Sequence, residues 1–175
     1  MFSGKMKAVT FSYDDGVTQD IRLVEILNRY GLKATFNLNS ELLGKDGCLD
    51  ILGKKISHYK LQPHEINEVY KAHEIASHTL THPDLTEMSA EEVIRQVERD
   101  RLNLSELSGV EVIGMAYPGK QPNYNSRIAQ IIEDSTGVKY ARTTICSNDF
   151  SPQRDLYEFH PSVFHRDWDC LLYTS

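Results

Sequence analysis

The chain is poor in cysteine and shows no pairing pattern among the few it has. Its 3 cysteines, Cys48, Cys146 and Cys170, are far apart and odd in number. That excludes a disulfide framework and a CxxC metal site. Basic residues are also in deficit, with 19 Lys and Arg against 25 Asp and Glu and a formal net charge of -6. A general grip on nucleic acid needs a basic excess or patch, so no nucleic-acid partner is expected. No apolar run approaches the roughly 20 residues of a membrane helix, and no charged start leads into an apolar secretory core. The expectation is a cytoplasmic chain without a membrane partner. Internal repeats and low-complexity segments are missing as well. What remains is an ordinary globular composition, 40% hydrophobic and 25% charged over 175 residues, enough for one domain with a core of its own.

The apolar residues fall into a regular alternation. Ala8-Val9-Thr10-Phe11 reads as a short buried strand. Thr18 is placed to cap a helix whose stripe of Ile21, Val24, Ile26 and Leu27 runs to Tyr30 before Gly31 stops it. Lys33 to Leu38 is a second strand, so the unit is strand, helix, strand, with a crossover long enough for parallel pairing. The stretch from Gly44 to Lys60 reads as an insertion outside this repeat, with room for a small hairpin. Pro63 opens a helix through Ile66, Val69 and Tyr70, and Glu74-Ile75-Ala76-Ser77 is a third strand. Ser89 and Glu92 form a capping box for a long helix that Gly109 closes. A strand from Val110 to Tyr117 follows, then a helix started by Asn123 or Asn125, and a strand from Val138 to Thr143. A last strand is expected within Leu156 to Phe164. Strand-helix alternation of this kind indicates an α/β fold with a parallel sheet, either open or curled into a barrel.

Chemistry-bearing residues recur at the C-terminal ends of these strands, where both open parallel sheets and barrels place their sites. The first strand runs into Asp14-Asp15-Gly16, which is also ordinary turn chemistry. The third runs into His78-Thr79-Leu80-Thr81-His82-Pro83. On a helix, His-x-x-x-His presents two imidazoles on one face, but the zinc peptidases that use it carry Glu beside the first His. Here Thr79 and Pro83 favour a turn that brings both rings to one point. Two unrelated histidines near a turn remain the plainer alternative. Two imidazoles and a carboxylate suit zinc or a similar divalent ion with a position open to water. A second carboxylate beside them can take the proton from that water. A phosphotransferase with an aspartate at a strand end is a competing reading, and it leaves His78 and His82 without work.

At these residues the sequence resembles the polysaccharide deacetylase family, the NodB-homology carbohydrate esterases of family four. Thr10-Phe11-Ser12-Tyr13-Asp14-Asp15-Gly16 is similar to the family's first motif and His78-Thr79-Leu80-Thr81-His82 to its second. Ala116-Tyr117-Pro118-Gly119 resembles its third motif in a form without the usual arginine. The likeness runs from about Lys7 to the segment around His165. It implies a distorted (β/α) barrel, incomplete at the C-terminus, and hydrolysis of N-acetyl groups on an acetylated amino sugar, polysaccharide or N-acetylated small molecule. It implies further that Asp15, His78 and His82 bind a divalent metal, zinc with cobalt or manganese as alternatives, and that Asp14 is the base. Tyr117 and Pro118 would contact substrate, with a backbone amide near Tyr117 helping to hold the oxyanion. Arg142, ending a neighbouring strand, is the candidate to replace the missing motif-three arginine, with a structural ion pair as its alternative.

The family also uses a late histidine as general acid, in an apolar-Leu-x-His type of motif. His160 and His165 are the late histidines here, and neither stands in that context. The last six residues, Cys170 to Ser175, resemble translated adapter read-through. The expectation is therefore a single catalytic domain over residues 1–169, cut short, with 170–175 a non-native tail. A non-catalytic member that binds metal or sugar without turnover is the companion reading.

Overall fold

The computed structural model describes residues 8–119 and 122–164. Its first strand, β1, spans Phe11–Asp14 and lies parallel to β2, Ala34–Leu38, with Phe11 opposite Ala34 and Asp14 opposite Asn37. The expected start at Ala8 is too early. Pairing begins where β2 begins, and Val9, before it, is 64% exposed. The shift makes Asp14 the final strand residue rather than part of the turn.

Helix α1, Asp20–Arg29, buries Val24 and Leu27 against the sheet. Gln19, not Thr18, stands at its N-cap, and without a side-chain cap bond. Thr18 is drawn away by a backbone pairing: its N–H donates to the Tyr59 carbonyl at 2.8 Å, and Val17 bridges Lys60. The partner segment belongs to the stretch expected to lie outside the repeat. That stretch does hold the hairpin, β3 (Cys48–Ile51) against β4 (Lys54–Ser57). Its return limb then runs back to the end of β1 instead of staying outside.

Helix α2 is a single turn, Ile66–Val69, so Pro63 precedes a helix shorter than expected. Strand β5, Glu74–Ser77, follows, and then α3, Ala90–Ser108, with both bonds of the Ser89/Glu92 capping box in place and Gly109 at φ 72. Only Gly114–Ala116 of the expected 110–117 strand pairs, as β6. Helix α4, Ser126–Ser135, is capped by Asn125, whose side chain accepts from the Ile128 N–H at 3.0 Å. Strand β7 is Tyr140–Arg142. The expected strand within 156–164 reduces to one parallel bridge between Phe159 and Arg142, since Pro161 soon removes a donor from the segment. The tail 170–175 and His165 lie outside the described residues.

The main sheet has the order β1-β2-β5-β6-β7, every pair parallel. Each new strand adds beside the previous one with no reversal. A doubly wound sheet needs a reversal point, whereas a barrel grows by such one-way addition. This settles the choice between open and curled sheets in favour of a partial barrel. Two apolar clusters sit between sheet and helices. One packs Val24, Leu27, Phe36, Leu38, Leu61 and Tyr70; the other packs Val93, Val97, Met115, Tyr117, Ile128 and Ile132. Both leave the C-terminal strand edge to polar residues. Among the described residues, no helix is long and apolar enough to cross a membrane.

Candidate active site

Asp14 closes β1, and the next residue leaves the strand at once. Asp15 has φ 83 and Gly16 φ 61. A Cβ on Gly16 would lie 2.8 Å from Leu38 Cδ2, so the turn needs glycine for space as well as conformation. Strand alternation would send neighbouring acids to opposite sides. The positive φ of Asp15 breaks that alternation, and both carboxylates feel the field of His78. Thr79 (φ 68) and His82 (φ 59) are also left-handed. Backbone strain of this kind persists where the surroundings impose it and gathers at working sites.

His78 follows the last residue of β5 and is 2% exposed. Its Nδ1 lies 2.9 Å from the Ala116 carbonyl. A carbonyl can only accept, so Nδ1 carries the proton and Nε2 keeps its lone pair. Burial lowers the imidazole's pKa and favours this neutral form. The His82 ring stands edge-on to it at 4.9 Å, and His82 Nε2 is 4.0 Å from Asp15 Oδ1. One ligand atom each from Asp15, His78 and His82 falls within 4.8 Å of the others. Two imidazole nitrogens and a carboxylate oxygen, one imidazole locked in tautomer by a carbonyl, fit a zinc-type divalent ion.

Asp14 is held differently. Its Oδ1 accepts from Asn37 Nδ2 at 2.9 Å and from Arg142 Nη2, and its Oδ2 has neither bond. Burial works to raise its pKa, but His78, the Arg142 guanidinium and the hydrogen bonds from Arg142 and Asn37 outweigh that and hold it below the ordinary value. The carboxylate is ionised at neutral pH, with Oδ1 fixed by two hydrogen bonds. The structure thus brings Arg142 to Asp14 across 128 positions of sequence.

Tyr117 and Pro118, expected to contact substrate, follow β6 directly. Both are buried. The Tyr117 ring stacks on Tyr124, its hydroxyl donates to the Tyr157 carbonyl at 2.8 Å, and its N–H donates to the Arg142 carbonyl at 2.9 Å. In Tyr117 these contacts serve packing and strand register. His160, the late histidine within reach of description, is held by Thr143 Oγ1 at 2.7 Å and by Gln153.

Sequence reasoning missed four residues here. Lys60 and His58 reach Asp15 from the hairpin's return limb, Nζ at 3.0 Å from Oδ1 and Nε2 at 3.3 Å from Oδ2. Asn37 was legible as a polar residue between the apolar Phe36 and Leu38 of β2. Asp100 was legible too: it sits on the buried stripe of α3 with Val93, Val97 and Leu104. It accepts from Ser40 N at 2.7 Å, Ser77 Oγ at 2.6 Å and His78 N at 3.2 Å. The carboxylate ties two loops of the site to a helix.

A further acid lies just below the site. Asp20 is 5% exposed and accepts from the Tyr70 hydroxyl at 2.7 Å. Burial pushes its pKa up to about 6 against the Tyr70 bond, and Asp15 adds to the rise. An acid raised in the folded state binds more protons there than in the unfolded chain, so its contribution to stability falls as pH rises between the two pKa values. Taking the unfolded carboxylate near 4, the loss between about pH 5 and pH 7.5 is roughly 1–2 kcal/mol. Asp20→Asn keeps an acceptor for Tyr70 and should remove that part of the slope. Urea denaturation of both chains at the two pH values checks it; parallel stability changes would refute the assignment.

Comparison with known proteins bears on this arrangement. A family model described as polysaccharide deacetylase matches residues 3–141. The chain belongs to the polysaccharide deacetylase family. Among curated proteins none matches. Among solved structures, the Streptococcus pyogenes deacetylase PplD in complex with acetate is similar with a TM-score of 0.73 and 21% identity, over 98% of this chain and 71% of that one. The BpsB deacetylase domain from Bordetella bronchiseptica gives 0.67 and 14%, over 87% and 69%. A polysaccharide deacetylase from Bacillus cereus gives 0.65 and 18%, over 86% and 45%. The chain therefore spans only part of each relative, less than half of the last. As a polysaccharide deacetylase fold it is a curled parallel half-barrel with helices, matching an incomplete NodB-type barrel.

Proposed function

We propose that this chain carries the centre of a metal-dependent hydrolase that removes N-acetyl groups from an acetylated amino sugar or polysaccharide. The observation that carries the reading is a division of labour between adjacent acids. Asp15 stands with His78 and His82 as a ligand triad, while Asp14 stands outside it, fixed through one oxygen by Arg142 and Asn37. A divalent ion bound by the triad would supply a polarised carbonyl and an acidified water. The chain's own part is to hold that geometry and to receive the water's proton at Asp14 Oδ2. Arg142 keeps Asp14 ionised until then and fixes its orientation. Family membership supports the deacetylase class, and the acetate in the PplD structure has the chemistry of the product this reaction would release. The phosphotransferase alternative gives no work to the two imidazoles.

The test is acetate release from N-acetylglucosamine oligomers, before and after a chelator, and after zinc, cobalt or manganese is returned. Release that stops on chelation and returns with metal is the expected result. A chain that holds metal in the triad and releases nothing would favour a binding-only member of the family. A chain that holds no divalent ion at all would end the hydrolase reading.

A further inference from the structure

The return limb of the hairpin is pinned on both sides. His58 N–H donates to the Gly47 carbonyl at 2.9 Å and Lys60 N–H to the Lys45 carbonyl at 3.0 Å. On the other side, Leu61 N–H donates to Gly16 and Thr18 N–H to Tyr59, at 2.9 and 2.8 Å. Lys60 thus hangs from backbone anchored directly beside the Asp15-Gly16 turn. Its side chain is 7% exposed, and a buried ammonium is retained only with a partner. That partner is Asp15 Oδ1, at 3.0 Å, with His58 Nε2 3.3 Å from the ammonium.

Asp15 Oδ1 is also the oxygen that faces His82 across the ligand triad. Lys60 therefore pairs with the carboxylate that would also ligate the metal. The other acid is matched as well, since Arg142 pairs with Asp14. Two carboxylates and two fixed protein cations cancel, so a divalent ion enters a centre with no net negative charge among these four groups. An ion held by this carboxylate would lie close to the ammonium, where like charges in a half-buried site repel strongly.

We infer that Lys60 is a resident cation that shares Asp15 with the metal and thereby keeps the metal loosely held and exchangeable. The inference rests on the metal-centre reading above. Lys60 acts on the ion through Asp15 and is a positioning residue rather than a catalytic one.

Cobalt(II) titration of chelator-stripped chain, followed by visible absorption, tests both. Lys60→Met keeps the packed stem and removes the charge; Lys60→Gln does the same with a polar end and covers a folding failure of the first. Both variants should bind cobalt at least about tenfold more tightly than the parent. Both should also melt lower than the parent in excess chelator, because Asp15 has lost its counter-ion, and gain more in Tm on cobalt addition. Cobalt binding by the parent with equal or weaker binding by the variants would overturn the role of Lys60 and leave the metal centre standing. Binding by the variants alone would support the inference in its strongest form. Binding by none of them, or binding that survives His78→Ala, would overturn both.

Discussion

Asp14→Asn should lower acetate release by about two to four orders of magnitude, the usual worth of a positioned general base, while cobalt affinity stays near that of the parent. Asparagine is isosteric and can still accept from Arg142 or Asn37, but it cannot take a proton. The companion is His78→Ala, which removes a ligand atom and should lose metal and turnover together. The contrast between the two variants carries the argument. Asp14 has its oxygen bonds to Asn37 and Arg142 and stands outside the triad, whereas His78 is pinned to the Ala116 carbonyl with its remaining nitrogen toward Asp15 and His82. Equal metal loss in the two variants, measured by cobalt titration beside the activity assay, would refute the separate roles.

Asp100→Ala is expected to have the largest effect on stability. Asp100 is fully buried and accepts from the backbone of Ser40 and His78 and from the Ser77 hydroxyl. His78 N–H has a second acceptor in the Leu38 carbonyl at 2.8 Å, but Ser40 N–H and Ser77 Oγ have no such reserve among the described bonds. Each buried polar group left without a partner costs about 1–3 kcal/mol. Burial holds the carboxyl's pKa up at about 6, so part of that loss is offset at neutral pH by removing an ill-solvated charge. A net loss of roughly 2–4 kcal/mol remains, or a fall in Tm of about 5–15 °C for a domain of this size. Calorimetry checks it. Metal affinity should fall too, because the loop that carries His78 loses its tie to α3; an unchanged affinity would show that the loop holds its shape without Asp100.

What could be read from the sequence was whatever depends on local pattern. The 3.6-residue stripes of α3 and α4, the Ser89/Glu92 box and Asn125, one of the two asparagines offered as a cap, are short-range devices and stand where the pattern put them, whereas the α1 stripe buries Val24 and Leu27 but leaves Ile21 and Ile26 exposed. The acids and histidines at strand ends were legible for the same reason, since a charged residue at the tip of an apolar run is visible without a partner. Strand limits were harder. β1 starts at Phe11 because β2 starts at Ala34, and nothing within Ala8–Phe11 encodes that. Tyr117 illustrates a different limit. Its place beside a motif suggested contact with substrate, while its ring packs on Tyr124 and its hydroxyl serves Tyr157, two partners that only the folded chain brings near. Lys60 was hidden because a lysine at the end of a polar hairpin looks solvated. Its burial follows from backbone pairings to Lys45 and Val17 that no spacing rule foresees.

The pairing of Asp14 with Arg142 has a consequence for how the centre comes into being. The two residues close a loop of 128 positions that includes every crossover of the main sheet. Closing a loop of that length costs conformational entropy, which the strands packed between its ends offset. The first carboxylate takes its guanidinium from the last strand of the sheet, while the second takes its ammonium from Lys60, far nearer in sequence. The Asp15–Lys60 pair is thus local to the first strand and the hairpin, whereas His78 takes a partner from β6 and Asp14 from β7.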